Sequence, residues 1–457
     1  MGERPKAVLV AVQLQSVSDD EQRASLDELA RLVHTLGYEV VERVVQRRQS
    51  LDGGVVLGEG KLRELAEITG GPGEVVARPR KLQRKDRGAA DDEPDEDEAE
   101  SEDSDEPGPA APGARRADVV VVDHELSPMQ FRNLASATGA EVLDRTGVIV
   151  EIFHRHASSR EARLQVELAR LSYVAPRMRA SGGGFDRAGG GVGAKGKGES
   201  HLELDRRKIR DRIAEIRAGL AEIDAARAVR RDRRRDANRV ALVGYTNAGK
   251  SSWMRALTGS EVLVEDKLFA TLDTTVRELR PPTRPKVLVS DTVGFIKKLP
   301  HDLVASFRST LDEACNASLL VYVVDGADPT FRSQLEVTRD VLSEIGAGTI
   351  PSTILLNKRD RIDAATADAL QREFPDGLLV SSRDPDDVAA VRRHIVERLT
   401  AGLPEVDLLV PYDRSAVIGE IREHTTVLTE SYEDDGVHYR VRAAEGTLER
   451  VRGLLAQ

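Results

Sequence analysis

Apolar positions along the chain fall into changing rhythms. AVLVAVQL (7–14), YEVVERVVQ (38–46) and ADVVVVDHEL (117–126) read as strands, and between them apolar residues recur at helical spacing. Leu26, Leu29, Val33 and Leu36 mark one helix, with Ser18 or Asp19 as its cap and Gly37 as its stop. GEGKLRELAEITG (58–70) is a short helix opened by glycine. SPMQFRNLASATG (127–139) starts on Ser-Pro, a favoured helix start, and stops at Gly139. EVLDRTGVIVEIF (141–153) is expected to close this unit as extended chain. Strand and helix in alternation predict a mainly parallel sheet.

The rhythm then becomes purely helical. SSREARLQVELARLSYV (158–174) carries Leu164, Leu168 and Leu171. In 199–236 the spacing of Ile209, Ile213, Ile216, Leu220 and Ile223 is that of a coiled-coil seam, so the two segments read as an antiparallel hairpin. The loop between them holds nine glycines from Gly182 to Gly198, too many to keep one rigid form. The hairpin is rich in Arg and ends in RAVRRDRRRD: a solvated face, or a basic rod suited to RNA. Strands return with RVALVGY, VLVSDT, LLVYVVD, STILLNK and GLLVSS, whose continuous apolar runs suit a covered parallel sheet. After Pro404 a last unit shows a helix (SAVIGEIREHT), a hairpin turning at Asp435–Gly436 and a second helix (GTLERVRGLL).

These rhythms predict an α/β multidomain chain: an N-terminal α/β domain (1–150), a helical hairpin (151–237), a mainly parallel α/β domain (238–403) and a small α+β domain (404–457). Composition changes this picture in one place. Residues 91–106 carry 12 acids and no base, and without them the net charge of −11 shrinks to near neutrality. Such a run cannot bury enough apolar surface to order itself, so 85–116 is expected to be a disordered insertion, or a decoy for basic or RNA-binding surfaces. No run of eighteen apolar residues predicts a transmembrane helix, and MGERPKAVLVAVQL lacks a signal-peptide pattern. The one cysteine, Cys315, rules out an internal disulfide and is expected as a packed thiol in a cytoplasmic protein.

The chemistry begins at GYTNAGKS, where Gly244, Tyr245, Thr246, Asn247, Ala248, Gly249, Lys250 and Ser251 form a P-loop between a strand and a helix. Its N–H groups and the helix N-terminus suit phosphate oxygens, Lys250 suits the β- and γ-phosphates, and the Ser251 hydroxyl suits Mg²⁺. Phe269, Ala270, Thr271, Leu272 and Asp273 follow in FATLDTT, where Thr271, 20 residues beyond Ser251, is chosen as a second metal hydroxyl over Thr274 and Thr275. Asp291, Thr292, Val293 and Gly294 end a strand as DTVG. Asp291 is placed to reach the metal through water, and the Gly294 N–H to sense γ-phosphate. Phe295 follows, where many switches carry a Gln that orients the attacking water, so the catalytic group is left open. Asn357, Lys358, Arg359 and Asp360 form NKRD, whose Asp accepts two bonds from guanine that adenine does not offer. Ser381, Ser382 and Arg383 fall where backbone meets the base. His154 and His156 lack partners at metal-ligand spacing.

These motifs, with LFATLD and DTVGFI…LPHDLVASFRSTL, resemble the HflX family of translation-associated GTPases. So do DHELSPMQFRNL, VLDRTGVIVEIFHRHASSREARLQVELARLSYVAPRM and GESHLELDRRKIRDRI outside the nucleotide domain. The resemblance implies a GTPase that binds the large ribosomal subunit and its rRNA, with the N-terminal region directed towards the peptidyl-transferase centre. It also implies splitting or rescue of stalled ribosomes under stress. Ser252 and Trp253 depart from the Thr-Leu usual after GKS, and Lys197 and His201 from the family's Pro and Gln. The combined reading is a monomeric, cytoplasmic, Mg²⁺-dependent GTPase, partly ribosome-associated and open to peripheral membrane association, slow alone and stimulated by ribosomes. Its rivals are a regulatory GTPase with a protein effector at the membrane or division site, and an ATP-using RNA remodeller.

Overall fold

The computed structural model describes residues 4–51, 53–75, 117–181, 201–232, 238–260, 268–269, 275–298 and 308–456. The acidic tract and the glycine-rich stretch 182–198 lie outside them. The chain divides into two compact units, residues 1–148 with 176–197, and residues 149–175 with 198–457.

In the first unit β1 (Lys6–Leu14), β2 (Glu39–Arg48), β3 (Val119–Val122) and β4 (Glu141–Asp144) form one parallel sheet in the order β2-β1-β3-β4. Ala7 to Val12 are buried without alternation because β1 lies inside the sheet with both faces covered. Helix α1 (Asp19–Thr35) starts on a capping box: the Ser18 hydroxyl accepts the Glu21 N–H at 3.2 Å, and the Glu21 carboxylate accepts the Ser18 N–H at 3.1 Å. Helices α2 (Glu59–Thr69) and α3 (Pro128–Thr138) pack Leu62, Leu65, Ile68 and Leu134 with Val8, Val10 and Val12 in one core.

The segment expected as extended chain after β4 is instead a helix, α4 (Arg145–His156). Its Val, Ile and Phe content favours strand locally. The Asp144 carboxylate overrides that preference by accepting the Gly147 N–H at 2.8 Å, as a helix cap does. Val148, Ile149, Ile152 and Phe153 are then buried at helical spacing. Arg145 is only 2% exposed and donates to Asp123 Oδ1 at 2.8 Å and to the Glu28 carboxylate, while the Ser25 hydroxyl donates to Asp123 Oδ2 at 2.6 Å. Arg177 donates to Asp144 Oδ2 at 2.7 Å. The carboxyl ends of β3 and β4 are therefore locked by charge.

Two long helices follow, α5 (Arg160–Ser181), whose residues up to Ala175 lie in the second unit, and α6 (His201–Asp232) in the same unit. Arg212 grips Glu167 through two bonds of 2.7 and 2.9 Å, and Gly219 faces Leu164. Advancing along α5 means retreating along α6, so the pair is antiparallel as expected. Ile216 is buried and the other seam residues Ile209, Ile213, Leu220 and Ile223 are half-buried.

The six-stranded sheet comprises β5 (Asn238–Val243), β6 (Thr275–Glu278), β7 (Val287–Asp291), β8 (Leu319–Asp325), β9 (Ser352–Asn357) and β10 (Leu378–Leu379), in the order β10-β9-β8-β5-β7-β6. All pairs are parallel except β6 with β7. The antiparallel edge strand β6 escapes sequence reading because TVRE is short and never fully buried. Helices α7 (Lys250–Thr258), α8 (Arg308–Cys315), α9 (Phe331–Glu344), α10 (Ala364–Glu373) and α11 (Pro385–Thr400) complete this α/β arrangement. The half-buried Cys315 thiol donates to the Ile345 carbonyl at 3.4 Å.

The last stretch is a three-stranded antiparallel sheet, β11 (Glu405–Val410), β12 (Thr426–Glu433) and β13 (Gly436–Arg442), in the order β11-β13-β12. Helices α12 (Ala416–His424) and α13 (Glu445–Ala456) share its core. Two details differ from expectation. Strand β11 follows Pro404 directly, and the hairpin turns at Asp434–Asp435, because Glu433 pairs with Gly436.

Candidate functional site

The order of the large sheet reverses at β5, which has β7 on one side and β8 on the other. Open parallel sheets bind ligands outside the carboxyl ends of their strands at such a point. The loop leaving β5 is 244–249. Gly244 and Gly249 have φ of +146° and +104°, and a Cβ on either would lie 2.2 Å from the Val323 carbonyl oxygen or from Asn357 Nδ2. Any side chain there would push the loop off β8 and β9.

Lys250 is buried at the start of α7, with Nζ 3.1 and 2.9 Å from the Gly244 and Tyr245 carbonyl oxygens. Burial pulls its pKa down to about 8, with Asp291 pulling the other way. The Ser251 hydroxyl donates to Asp291 Oδ2 at 2.8 Å, so two hard oxygen donors meet at the end of β7, a set that fits Mg²⁺. Thr292 is tied by its hydroxyl to the Leu242 carbonyl at 2.7 Å.

The DTVGF turn closes onto the loop. The Phe295 N–H donates to the Gly244 carbonyl at 3.1 Å, and the Phe295 carbonyl accepts the Thr246 N–H at 2.8 Å, forming an isolated parallel bridge between Tyr245 and Phe295. The Tyr245 hydroxyl accepts the Lys297 N–H at 2.5 Å. The Phe295 ring is 2% exposed.

On the other flank Asn357 Nδ2 donates to the Ala248 carbonyl at 2.8 Å, and Asn357 Oδ1 accepts the Ser382 N–H at 3.4 Å. Lys358, at φ +65°, donates to the Asn247 carbonyl at 2.9 Å and to Asp325 Oδ2 at 2.6 Å. Asp360 Oδ1 accepts the Ser381 hydroxyl at 2.8 Å, the main reason its carboxyl sits below the usual range. Arg383 lies 3.7 Å from Asp360 Oδ2, and its N–H donates to the Ser381 hydroxyl oxygen at 3.3 Å. Arg359 faces away, onto Asp384 and Asp387 at 2.8 and 3.0 Å.

Four of the five expected segments thus meet at one sheet end. In the fifth, Phe269 is buried at φ +58° with its ring edge-on to Phe153, centroids 4.6 Å apart. Ala270, Thr271, Leu272, Asp273 and Thr274 lie outside the described residues, and Thr275 pairs with Asp291 in the β6–β7 ladder. Sequence reading missed Asp325, although an Asp closing the apolar run LLVYVVD was a signal for it, and it missed the Tyr245 hydroxyl, whose bond no local pattern encodes.

Three consecutive family profiles match the chain. They are described as "GTP-binding GTPase N-terminal" over 23–78 and 110–154, "GTP-binding GTPase Middle Region" over 156–234 and "50S ribosome-binding GTPase" over 239–358. A GTPase HflX from Gluconacetobacter diazotrophicus is 57% identical over 99% of this chain and 98% of its own. The chain belongs to the HflX family of GTPases. The HflX protein of Escherichia coli is 32% identical over 94% of this chain and 91% of its own. The crystal structure of a GTP-binding protein from the archaeon Sulfolobus solfataricus with GDP matches at 21% identity and a TM-score of 0.41, covering 87% and 99% of the two chains.

Trp253 is fully buried under the loop among Val240, Leu242, Leu257 and Val289, with no partner for its Nε1 among the described residues. The indole fills space rather than making a polar contact. Trp253→Phe is expected to lower stability by only about 1–2 kcal/mol, because the lost volume is partly offset by removal of an unsatisfied N–H. Thermal unfolding of the GDP-saturated protein measures this, and a loss well above that range would mean that the indole N–H has a partner.

Proposed function

We propose that this HflX-family chain is a Mg²⁺-dependent guanine-nucleotide switch that hydrolyses GTP slowly alone and acts on the large ribosomal subunit and its rRNA. The observation that carries the nucleotide part is the meeting of Lys250, the bonded Ser251–Asp291 pair and the Asn357–Asp360–Ser381 group around one loop. Within this reading, Lys250 and the N–H groups of 247–251 hold phosphates. Ser251 and Thr271 hold the metal, with Asp291 behind them through water. Gly294 senses γ-phosphate, and Asn357 and Asp360 select guanine. Bound Mg²⁺ supplies neutralisation of phosphate charge.

The ribosomal part rests on the family profile over 239–358, described as a 50S ribosome-binding GTPase, and on the basic α5–α6 pair. Splitting or rescuing stalled ribosomes under stress is the action we assign. The four-domain division belongs to the same reading, with α4 as the helix that crosses its boundary at residue 150. No described helix is long and apolar enough to cross a membrane.

Two measurements test this. Sedimentation with ribosomal particles is expected to show more bound protein with a non-hydrolysable GTP analogue than with GDP or no nucleotide. Large subunits are expected to raise turnover about tenfold or more. Equal turnover with and without subunits would sink the ribosomal part and leave the nucleotide part standing. Displacement of labelled GTP by excess ATP would count instead for an RNA remodeller.

A further inference from the structure

Phe295 stands where a water-orienting Gln would, and its geometry disqualifies it from that work. The ring is 2% exposed and without a polar atom, and the residue's main chain is engaged in the bridge to the loop. A different group must order the attacking water.

Gly294 shows where to look. A Cβ on this residue would lie 2.9 Å from Lys250 Nζ, from Thr246 Cα and from Thr246 Cγ2. On the proposed reading, the ammonium that serves the γ-phosphate, the glycine that senses it and the Cα and methyl group of Thr246, whose hydroxyl shares the same Cβ, therefore converge on one point. Thr246 is 6% exposed, and its Oγ1 is buried without a hydrogen-bond partner. A buried hydroxyl with no partner costs about 1–3 kcal/mol. Threonine here is thus a burden to the fold, since valine has the same shape without the polar atom. A group left unsatisfied next to reacting atoms is accounted for by a ligand that completes it.

We propose that the Thr246 hydroxyl orders the hydrolytic water in place of the absent Gln. The inference rests on the GTPase reading of this site. The water oxygen bonds to the γ-phosphorus, the bond from that phosphorus to the β,γ-bridging oxygen breaks, and the pair of electrons leaves with GDP. The water's proton ends on the released phosphate. Thr246 neither gains nor loses a proton overall: its Oγ1 accepts one hydrogen bond from the water and so fixes the direction of attack. It is a positioning residue that acts on the water alone.

The test compares the full-length protein with Thr246→Val and Thr246→Ser, measuring single-turnover GTP hydrolysis, GDP affinity and thermal unfolding. Valine is expected to slow the chemical step by on the order of 10²-fold, the scale seen when one transition-state hydrogen-bonding group is lost. GDP affinity should stay within about threefold, because the group acts only in the chemical step. Serine should retain most of the rate. The unfolding temperature of the valine variant should equal or exceed that of the unmodified protein. A structural threonine would show the opposite pattern, a lower unfolding temperature with the rate kept, and that result overturns the proposal. A valine variant as fast as the unmodified protein overturns it too, while leaving the GTPase reading intact. If the unmodified protein hydrolyses no GTP, both fall.

Discussion

Asp360→Asn is expected to weaken GTP binding by on the order of 10³-fold while creating affinity for xanthosine triphosphate. Guanine presents two adjacent donors, N1–H and the 2-amino group, and an ionised carboxylate accepts both. Asp360 suits this because the Ser381 hydroxyl, at 2.8 Å, leaves it ionised across the neutral range and fixes its plane. An amide turns one acceptor into a donor. Against guanine that places two donors face to face, whereas xanthine carries a carbonyl where guanine carries its amino group. The sign with pH follows from the depressed carboxyl. Guanine affinity should hold through neutral and mildly acidic solution, and fall only as the pH drops through the lowered value of this group. Paired titrations with GTP and xanthosine triphosphate measure the exchange. If GTP affinity survives the substitution, Asp360 does not face the base and guanine must be selected elsewhere. Ser381→Ala should give a smaller loss in the same direction, since it removes the bond that holds the carboxylate without removing the acceptors.

Arg145→Met should destabilise the first unit by about 3–5 kcal/mol, the cost of leaving buried charges without their counter-ion. Asp123 is fully buried and Glu28 is 7% exposed, and one guanidinium bridges them. Methionine fills similar volume, so the loss would be electrostatic rather than a matter of packing. Lysine should recover only part of it, because an ammonium lacks the planar fork that reaches two carboxylates at once. Hydrogen exchange in the full-length protein reads the effect directly. Amides of β1, β3 and α4 should lose protection while those of β5 and β8 keep theirs. A uniform loss across both units, or none, would contradict an ion cluster confined to the first. Arg145 opens α4, and the Arg177–Asp144 pair adds a second buried charge contact within the same unit.

Much of the fold was legible where a rule acts over a few residues. The cap at Ser18, the Ser-Pro start of α3 and the apolar runs of β1, β5 and β8 all need only neighbours in the chain to take effect. The phosphate loop was legible for the same reason, since its glycines and Lys250 act together within eight residues. The misreadings share one cause. Residues 145–153 look like strand because Val, Ile and Phe favour extended chain, but their helix is set by Asp144 from behind and by Glu28 and Asp123 from far along the sequence. Strand β6 exists only because β7 offers it an edge, and β11 because β13 does.

The site divides along the same line. Residue types and spacing were enough to pick out the loop after β5, Ser251 beside Asp291, and the Asn357–Asp360 and Ser381 segments that meet it. They were silent on Asp325 anchoring Lys358, on Tyr245 receiving Lys297, and on the point where Gly294, Lys250 and Thr246 converge. Such contacts join strands that lie side by side in the sheet but tens of residues apart in the chain. Local spacing specifies which groups a strand end carries. The crossing order β10-β9-β8-β5-β7-β6 specifies which of them touch.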